Sequence, residues 1–351
     1  MARTARRHVV MWSGGITSWA VAHLVAQRYG TENLTLLFAD TRYEDEDLYR
    51  WNREASVQIG VPLTVVADGR TPWQVFRDKR YIGNTRIAPC SQLLKQAPCR
   101  DWLIEHTDPA HTTVYVGIDW TETHRVPAIV RNYQPWTAEA PLTEPPYRDK
   151  EEWLAEARTL GLAPPRLYEL GWVHNNCGGR CIKGGQAQWA HLLKVFPDRY
   201  AEVEAEENDL RRTLGADVAF LRDRRGGTTK PLPLTVLRRR IEGGDTSVDT
   251  DDWGGCGCLP DPEITAPPPD QTQTFQLQEA PDQMPGALPY LAPDPAGYAP
   301  ALDGDGFAWL RRVLPPPAPQ GCPRCGQPMR LPAIALLWQC SRCDIRQEEA
   351  A

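Results

Sequence analysis

The chain has 351 residues, a formal net charge of −6 at pH 7 and 10 cysteines. This length allows one large or two smaller domains, and the acidic balance argues against nucleic-acid binding by bulk charge alone, although it leaves room for a local basic groove. No apolar run approaches the length of a membrane span, and the short apolar segment after Arg7 is too brief for a signal peptide, so we expect a cytosolic protein without membrane contact.

The first predicted element is a strand that runs into a glycine turn and then a helix. The apolar residues 9–12 are followed by Ser13-Gly14-Gly15, and apolar residues then recur at helical spacing. Glycine permits positive φ and close backbone approach, and the start of a helix presents unpaired N–H groups and the positive end of its dipole. The loop therefore suits an anion, usually phosphate, although an ordinary strand-to-helix turn has the same pattern.

Three further strands are predicted as compact apolar runs, at residues 34–38, 62–66 and 114–118. They alternate with helix-compatible segments, which predicts a doubly wound parallel sheet of the α/β class. Ligands of such sheets bind beyond the carboxyl ends of the strands, where the strand order reverses. Asp40, Thr41 and Asp119 follow these strands, so we expect them beside the glycine loop, although a single aspartate there is also typical of a helix cap.

Eight of the cysteines occur in pairs that have the spacing of metal ligands. The pairs are Cys177 and Cys181, Cys256 and Cys258, Cys322 and Cys325, and Cys340 and Cys343. Glycines around the first two pairs would let the backbone wrap a metal or cluster, whereas buried thiols alone would be ordinary packing. Four thiolates can hold zinc or an iron–sulfur cluster, and spacing does not choose between them. Cys99 is interpreted as a packing residue.

The rest of the chain divides by composition. Helices are predicted over residues 186–214, with an interruption at Pro197, and over residues 234–241. Prolines then dominate and hydrophobic periodicity disappears, which predicts a linker. The last two cysteine pairs, with 14 residues between them, have the pattern of a zinc ribbon. We therefore predict a nucleotide-binding domain at residues 1–145, a Cys-rich helical domain with a metal or iron–sulfur site at 146–258, a Pro-rich linker at 259–300, and a ribbon that holds Zn²⁺ at 301–351.

Several of these segments together resemble one enzyme superfamily. Ser13-Gly14-Gly15, followed by Thr17 and Ser18, resembles the PP-loop of the adenine nucleotide alpha hydrolases, whose pattern often has Asp at the position of Thr17. Three later segments resemble elements of its phosphoadenosine phosphosulfate (PAPS) reductase-like branch: Asp40-Thr41 with Glu44, Cys90-Ser91 with Lys95 and Pro98, and Gly117-Ile118 with Glu122 and Arg125. The second segment has Ser91 where the family has a second Cys, and the third has Asp119 where it has Arg. The resemblance implies a HUP or Rossmann-like fold.

The resemblance also implies a nucleotide, ATP or PAPS, with Mg²⁺ as the counter-ion of ATP. The residues that it assigns to the nucleotide are Ser13, Gly14, Gly15, Thr17, Ser18, Asp40 and Thr41. Lys95 and Arg125 would neutralise the charge that develops at the reacting phosphorus or sulfo group. The family favours a [4Fe–4S] cluster held by Cys90, Cys177, Cys181 and either Cys256 or Cys258. The alternative is a structural zinc held by Cys177, Cys181, Cys256 and Cys258.

Two reactions and one binding role follow from the resemblance. The first is ATP-dependent adenylylation followed by sulfur transfer to a nucleic acid, tRNA or DNA, from a sulfur-donor protein. The alternative is reduction of PAPS, or of adenosine phosphosulfate, to sulfite by a cysteine thiolate, for which Cys256 is the candidate. The reductases' C-terminal E-C-G-x-H element is missing here, and this absence favours sulfur transfer. A non-catalytic protein that binds nucleotides or nucleic acid is the third hypothesis.

Overall fold

The computed structural model describes residues 6–84 and 87–254, together with two short strands near the C-terminal end. The chain forms two compact units, Met1–Thr265 and Ala266–Ala351. In the first unit, a parallel sheet carries the predicted nucleotide loop. None of the helices in these described ranges is both long and apolar enough to cross a membrane.

The central sheet has five strands in the order β3-β2-β1-β4-β5, and every neighbouring pair is parallel. The strands are β1 (Arg7–Trp12), β2 (Leu34–Ala39), β3 (Leu63–Val66), β4 (Thr112–Val116) and β5 (Thr137–Glu139). The strand order reverses between β1 and β4, where a ligand crevice opens in this type of sheet. The prediction of a parallel α/β sheet is therefore confirmed. β5 was not predicted, because its sequence Thr-Ala-Glu contains no apolar run.

Helices cover both faces of the sheet and continue into a helical region. They are α1 (Ile16–Tyr29), α2 (Glu46–Ile59), α3 (Pro72–Lys79), α4 (Pro89–Ser91), α5 (Ala97–His106), α6 (Val126–Tyr133), α7 (Lys150–Thr159), α8 (Arg166–Glu169), α9 (Gln186–Val195), α10 (Pro197–Leu214) and α11 (Leu234–Glu242). A π-helical turn, Gln92–Gln96, joins α4 to α5. Short 3₁₀ turns lie at Pro109–His111, Trp120–Arg125, Pro141–Thr143, Cys177–Gly179 and Arg225–Gly227.

Alternate side chains of β1 enter separate cores on the two faces of the sheet. Val10 and Trp12 pack with α1 and α2 on one face. Val9 packs with Leu103 and Val114 on the other face. Because residues of a strand alternate between faces, this near-continuous apolar run is what a strand buried on both sides requires.

A third core joins helices α9, α10 and α11 to residues of α3 and to Leu94 of the π-helical turn. The break that was predicted at Pro197 separates α9 from α10, since proline can begin a helix but cannot continue one. The remaining strands of the first unit, β6 (Arg222–Asp223) and β7 (Lys230–Pro231), form a small antiparallel pair.

In the second unit, the structure describes only β8 (Trp338–Gln339) and β9 (Arg346–Gln347), which pair antiparallel. All of the predicted linker at residues 259–300 lies outside the described residues, as do Cys322, Cys325, Cys340 and Cys343. The zinc ribbon and the division into four domains therefore stay predictions.

Candidate functional site: a nucleotide cleft beside a cysteine pocket

The predicted phosphate loop lies at the carboxyl end of β1 and leads directly into α1. The Ser13 hydroxyl accepts the backbone N–H of Gly15 at 3.4 Å and donates to Ser18 Oγ at 3.3 Å. Ser18 in turn donates to the carbonyl of Gly15 at 2.8 Å, and its side chain is buried. The two serines therefore hold the loop in shape, and only Ser13 also lines the cleft above it.

The two loop glycines have different roles. Gly14 has φ of +77°, and a Cβ there would lie 2.8 Å from the Leu48 side chain in the core. A substitution at Gly14 would therefore disturb packing against α2 before it affected a ligand. Gly15 has ordinary φ and lines the cleft, so its backbone is the part of the loop that a phosphate can approach.

Gly117, just after β4, permits the close approach of the switch-point strands to α1. A Cβ at this position would lie 2.8 Å from the backbone nitrogen of Ser18 and 2.9 Å from the carbonyl carbon of Thr17. Because these are backbone atoms, no side-chain movement could relieve the contact. The glycine therefore holds the start of α1 at the edge of the cleft.

The cleft has a volume of about 390 Å³ and opens between the ends of β1 and β4. Its walls include three of the predicted nucleotide residues, Ser13, Gly15 and Thr17, and both predicted cations, Lys95 and Arg125. Its apolar lining includes the Cys99 side chain, which also packs in the core below, as predicted. This combination of an apolar lining with a polar loop matches the two ends of an adenine nucleotide.

Four predicted nucleotide residues do not line this cleft: Gly14, Ser18, Asp40 and Thr41. Asp40 accepts hydrogen bonds from the Arg42 backbone at 2.9 Å and from Tyr49 Oη at 2.8 Å, so it caps a turn. Thr41 is buried and donates to Glu44 Oε1 at 3.0 Å. Both residues therefore organise the loop after β2, and Thr41 faces the neighbouring cysteine pocket.

Cations and carboxylates alternate along one wall. Arg125 is buried and forms an ion pair with Glu122, and both line the cleft. Asp119, at the start of the same 3₁₀ turn, accepts from the backbone N–H of Thr121 at 2.9 Å. Asp119 therefore caps this helical turn, as a single aspartate after a strand often does, and it also lines the cleft.

A segment remote in sequence covers the loop, and the sequence analysis did not assign it to the site. Tyr168 Oη accepts the N–H of Ile16 at 3.1 Å, and Asn175 Nδ2 donates to the carbonyl of Gly14 at 2.8 Å. His174 lines the same cleft. Burial, followed by the charges of Lys150 and Arg125, lowers the pKa of His174 to about 4, so this imidazole is neutral at pH 7. The His174-Asn175-Asn176 run before Cys177 was the sequence signal available.

The cysteine pocket adjoins this cleft and is much smaller, at about 20 Å³. Cys90, Cys177 and Cys181 all line it, although they come from α4 and from a glycine-rich loop far along the chain. Burial, followed by the charge of Cys177, raises the pKa of Cys90 to about 12, while Lys95 acts in the opposite direction. A hydrogen bond with Cys181 and then burial raise the pKa of Cys177 well above its usual value. These directions apply to thiols without a bound metal.

Cys256 and Cys258 lie outside the described residues, but the chain before them is placed. Gly254 packs so closely against Lys183 and Gly185 that a Cβ there would lie 2.2 Å from the Lys183 carbonyl. Ala187 also donates its N–H to the carbonyl of Asp252 at 2.9 Å. Within the described part of the chain, no group of three or more His, Cys, Asp or Glu side chains is arranged to hold a metal ion.

Comparison with known proteins finds a matching family model for the first part of the chain. Residues 7–122 match the family model of the phosphoadenosine phosphosulfate reductase domain. This segment of the chain is therefore similar to the PAPS reductase domain. No curated protein is similar enough in sequence to match the chain.

Three solved structures share a weak likeness with this chain. PAPS reductase from Candida auris, in a phosphate complex, is 15% identical with a TM-score of 0.34, covering 47% of this chain and 78% of that one. NH₃-dependent NAD synthetase from Campylobacter jejuni is 13% identical with a TM-score of 0.31, covering 72% and 91%. The U34-tRNA thiolase NcsA from Methanococcus maripaludis, with its [4Fe–4S] cluster, is 15% identical with a TM-score of 0.34, covering 61% and 72%.

Proposed function

We propose that the chain adenylylates an acceptor oxygen with ATP and then replaces AMP by sulfur, with a nucleic acid as the acceptor. The observation that carries this proposal is the shared wall of the two cavities. Lys95 and Asn176 line both the nucleotide cleft and the cysteine pocket. A nucleotide held by the PP-loop would therefore react next to the thiols.

The loop supplies the binding energy for the phosphates. Ser13, Gly15 and Thr17 line the cleft at the start of α1, where unpaired N–H groups and the helix dipole favour an anion. Lys95 and Arg125 would stabilise the charge that builds up as the α-phosphorus is attacked, which is the main contribution a protein makes to such transfers. Each cation already pairs with a carboxylate, Glu44 or Glu122, which holds it in place.

The proposed reaction has two steps. In the first, a carbonyl-type oxygen of the acceptor forms a bond to the α-phosphorus while the bond to pyrophosphate breaks. In the second, a hydrosulfide-class sulfur donor attacks the carbon that bears the adenylylated oxygen, AMP leaves with that oxygen, and the sulfur loses its proton. Neither step changes the oxidation state of the acceptor carbon, so no external reductant is needed.

Two bound metals belong to this proposal. Asp119 and Glu122 are the cleft carboxylates that would hold Mg²⁺ together with the phosphates, in keeping with its preference for oxygen ligands. An iron–sulfur cluster would be held by Cys90, Cys177 and Cys181 with Cys256 or Cys258 as the fourth ligand, whereas a zinc ion would be held by Cys177, Cys181, Cys256 and Cys258. Cys256 follows Gly254 by two residues, and two extended residues span about 7 Å. The donor set is a thiolate set, which suits either group. A cluster would supply a site for sulfur or electrons beside the nucleotide, whereas zinc would fix the loop.

PAPS reduction is the second candidate. Two observations favour it: the family match itself and Gly254, which lines the cleft two residues before Cys256. In that reaction the Cys256 thiolate would attack the sulfo sulfur of PAPS and release adenosine bisphosphate. A thiol reductant would then free sulfite from the resulting thiosulfonate and leave a disulfide.

Calorimetric titration of the full-length protein with ATP and Mg²⁺, and separately with PAPS, tests the binding part of the proposal. We expect ATP to bind, and Ser13→Ala to weaken it by about 10–100-fold, as expected for losing a hydrogen bond to a charged group. Ser56→Ala, which alters a buried serine of α2 away from the cleft, is the matched control and should bind normally. Equal affinity of the Ser13→Ala and wild-type proteins would contradict the assignment of the loop.

A further inference from the structure

Glu44 is a buried carboxylate between the nucleotide cleft and the cysteine pocket. Its side chain is 1% exposed, and it lies in the loop between β2 and α2. Oε1 accepts from Thr41 Oγ1 at 3.0 Å and pairs with Lys95 Nζ at 3.2 Å. Oε2 accepts the backbone N–H of Cys177. One rigid group thus contacts a cleft cation with one oxygen and the cysteine loop with the other.

Lys95 and Cys177 form the two ends of this bridge through Glu44. On the cleft side, Lys95 belongs to the π-helical turn, and its own side chain is 17% exposed. On the other side, Cys177 has φ of +49°, a left-handed conformation that is uncommon for a residue other than glycine. A backbone held in this conformation needs fixed partners, and the hydrogen bond to Glu44 is one of them.

Removing either partner from a buried carboxylate is costly, because the remaining charge is no longer compensated. The position of Lys95 and the backbone of Cys177 therefore depend on each other through Glu44. A nucleotide phosphate in the cleft offers Lys95 a second anion, which draws the ammonium group away from Glu44. Glu44 then relies more heavily on Thr41 and on the Cys177 N–H.

We infer that Glu44 is a positioning residue that couples nucleotide binding to the state of the cysteine pocket. The inference rests on the proposed function, because it requires a nucleotide in the cleft. Such coupling is reciprocal: whatever the nucleotide does to the cysteine loop, a change in that loop does to nucleotide affinity by the same factor. The sequence resemblance assigned no such link between Glu44 and Cys177.

The test measures how fast iodoacetamide alkylates Cys90, Cys177 and Cys181 in the full-length protein as purified, residue by residue by mass spectrometry. Rates are compared with and without saturating ATP and Mg²⁺, and ATP affinity is measured on the same samples. Typical coupling between two sites corresponds to about 5–150-fold, so we expect ATP to change the Cys177 rate by about 5-fold or more. In Glu44→Gln, which keeps the size of the side chain but removes its charge, the change should fall below about 2-fold.

The matched control is Glu46→Gln, two residues along the chain. Glu46 is exposed and pairs with Arg166 and Arg199, so this variant loses a carboxylate without touching the bridge. It should keep the full effect of ATP. If Glu44→Gln does not fold, Lys95→Met tests the cleft end of the bridge and should also lose the effect.

The outcomes separate this inference from the proposed function. If ATP binds to wild type and changes the Cys177 rate equally in wild type and Glu44→Gln, the coupling through Glu44 is wrong while the nucleotide site stands. The same holds if bound ATP leaves all three rates unchanged in the wild type. If ATP does not bind to the wild type, the proposed function fails, and the inference fails with it.

Discussion

The nucleotide cleft and the cysteine pocket share a wall but differ in size and lining. The cleft, about 390 Å³, has a polar loop, cations and carboxylates around its opening. The pocket, about 20 Å³, is lined by thiols and by large apolar side chains such as Trp73 and Leu94. The first can admit a small molecule, whereas the second has room only for a small group. Under the proposed function, the cleft binds the substrate and the pocket holds the metal centre.

Losing a pocket cysteine should have the largest effect. We expect Cys177→Ser to lose its metal and its sulfur-transfer activity, by more than the roughly 10–100-fold typical of removing an outer-shell partner of a metal ligand. Iron and zinc analysis of anaerobically purified protein is the measurement. Cys99→Ser is the control. Cys99 lies in the core below the cleft, so the metal content of this variant should be unchanged. A full complement of metal in Cys177→Ser would show that the cysteine pocket does not hold the metal.

Cys90→Ser then distinguishes the two proposed centres. A [4Fe–4S] cluster that uses Cys90 should be lost together with its visible absorption. A zinc ion held by Cys177, Cys181, Cys256 and Cys258 should be retained, because Cys90 would then only line the pocket. The structure puts Cys90 beside Cys177 and Cys181, so we expect loss of the centre.

Substitution of Lys95 tests whether the wall that the cleft and the pocket share contributes to catalysis. Replacing Lys95 with alanine should lower kcat by about 100–1,000-fold, the usual cost of removing one group that stabilises transition-state charge. Lys79→Ala, at the exposed end of α3, should retain full activity. Comparable rates for the two variants would show that the cavities do not act together.

Because the His174 imidazole in the cleft is neutral in the folded protein, we expect the fold to lose stability in acid. The pKa of His174 is about 4 in the folded protein, against about 6.5 in an unfolded chain. Between these values the unfolded state binds the extra proton, so stability should fall as pH drops from about 6.5 towards 4 and should not depend on His174 above that range. Urea unfolding of wild type and His174→Asn measures this, and the variant should lose less stability at low pH. His111→Asn, at an exposed histidine, is the control.

Tyr168 should give the smallest effect. Its hydroxyl accepts the Ile16 N–H that a phosphate oxygen would also accept, so the two compete. We expect Tyr168→Phe to tighten ATP binding by about 2–10-fold, the value of one ordinary hydrogen bond. Tyr49→Phe removes an exposed hydroxyl that binds Asp40 and should leave affinity unchanged. Weaker binding by Tyr168→Phe would mean that the tyrosine contacts the nucleotide instead.

Local sequence patterns predicted the parts of this site that are built locally. The strands at residues 34–38 and 114–118 and the loop at Ser13 were evident because apolar runs and glycines determine them. β5 was missed because a three-residue edge strand needs no apolar run. The π-helical turn that carries Lys95 also has no recognised sequence signal.

The rest of the site depends on contacts between distant residues. Tyr168 and Asn175 meet the loop across more than 150 residues, and nothing in their own neighbourhoods specifies that contact. The Glu44 bridge to Cys177 spans 133 residues and is equally invisible to pattern reading. The sequence therefore predicted several of the residues that line the two cavities, while only the fold shows that the cavities are adjacent.

Product analysis tests the central claim most directly, namely that cleft and pocket form one ATP-dependent sulfur-transfer centre. Full-length protein, purified without oxygen, is incubated with ATP, Mg²⁺, sulfide and total tRNA or DNA, and in parallel with PAPS and a thiol reductant. We predict AMP and pyrophosphate in equal amounts, together with sulfur in the nucleic acid, and loss of both in Ser13→Ala and Cys177→Ser. Sulfite and adenosine bisphosphate from PAPS, with no turnover of ATP, would contradict the account.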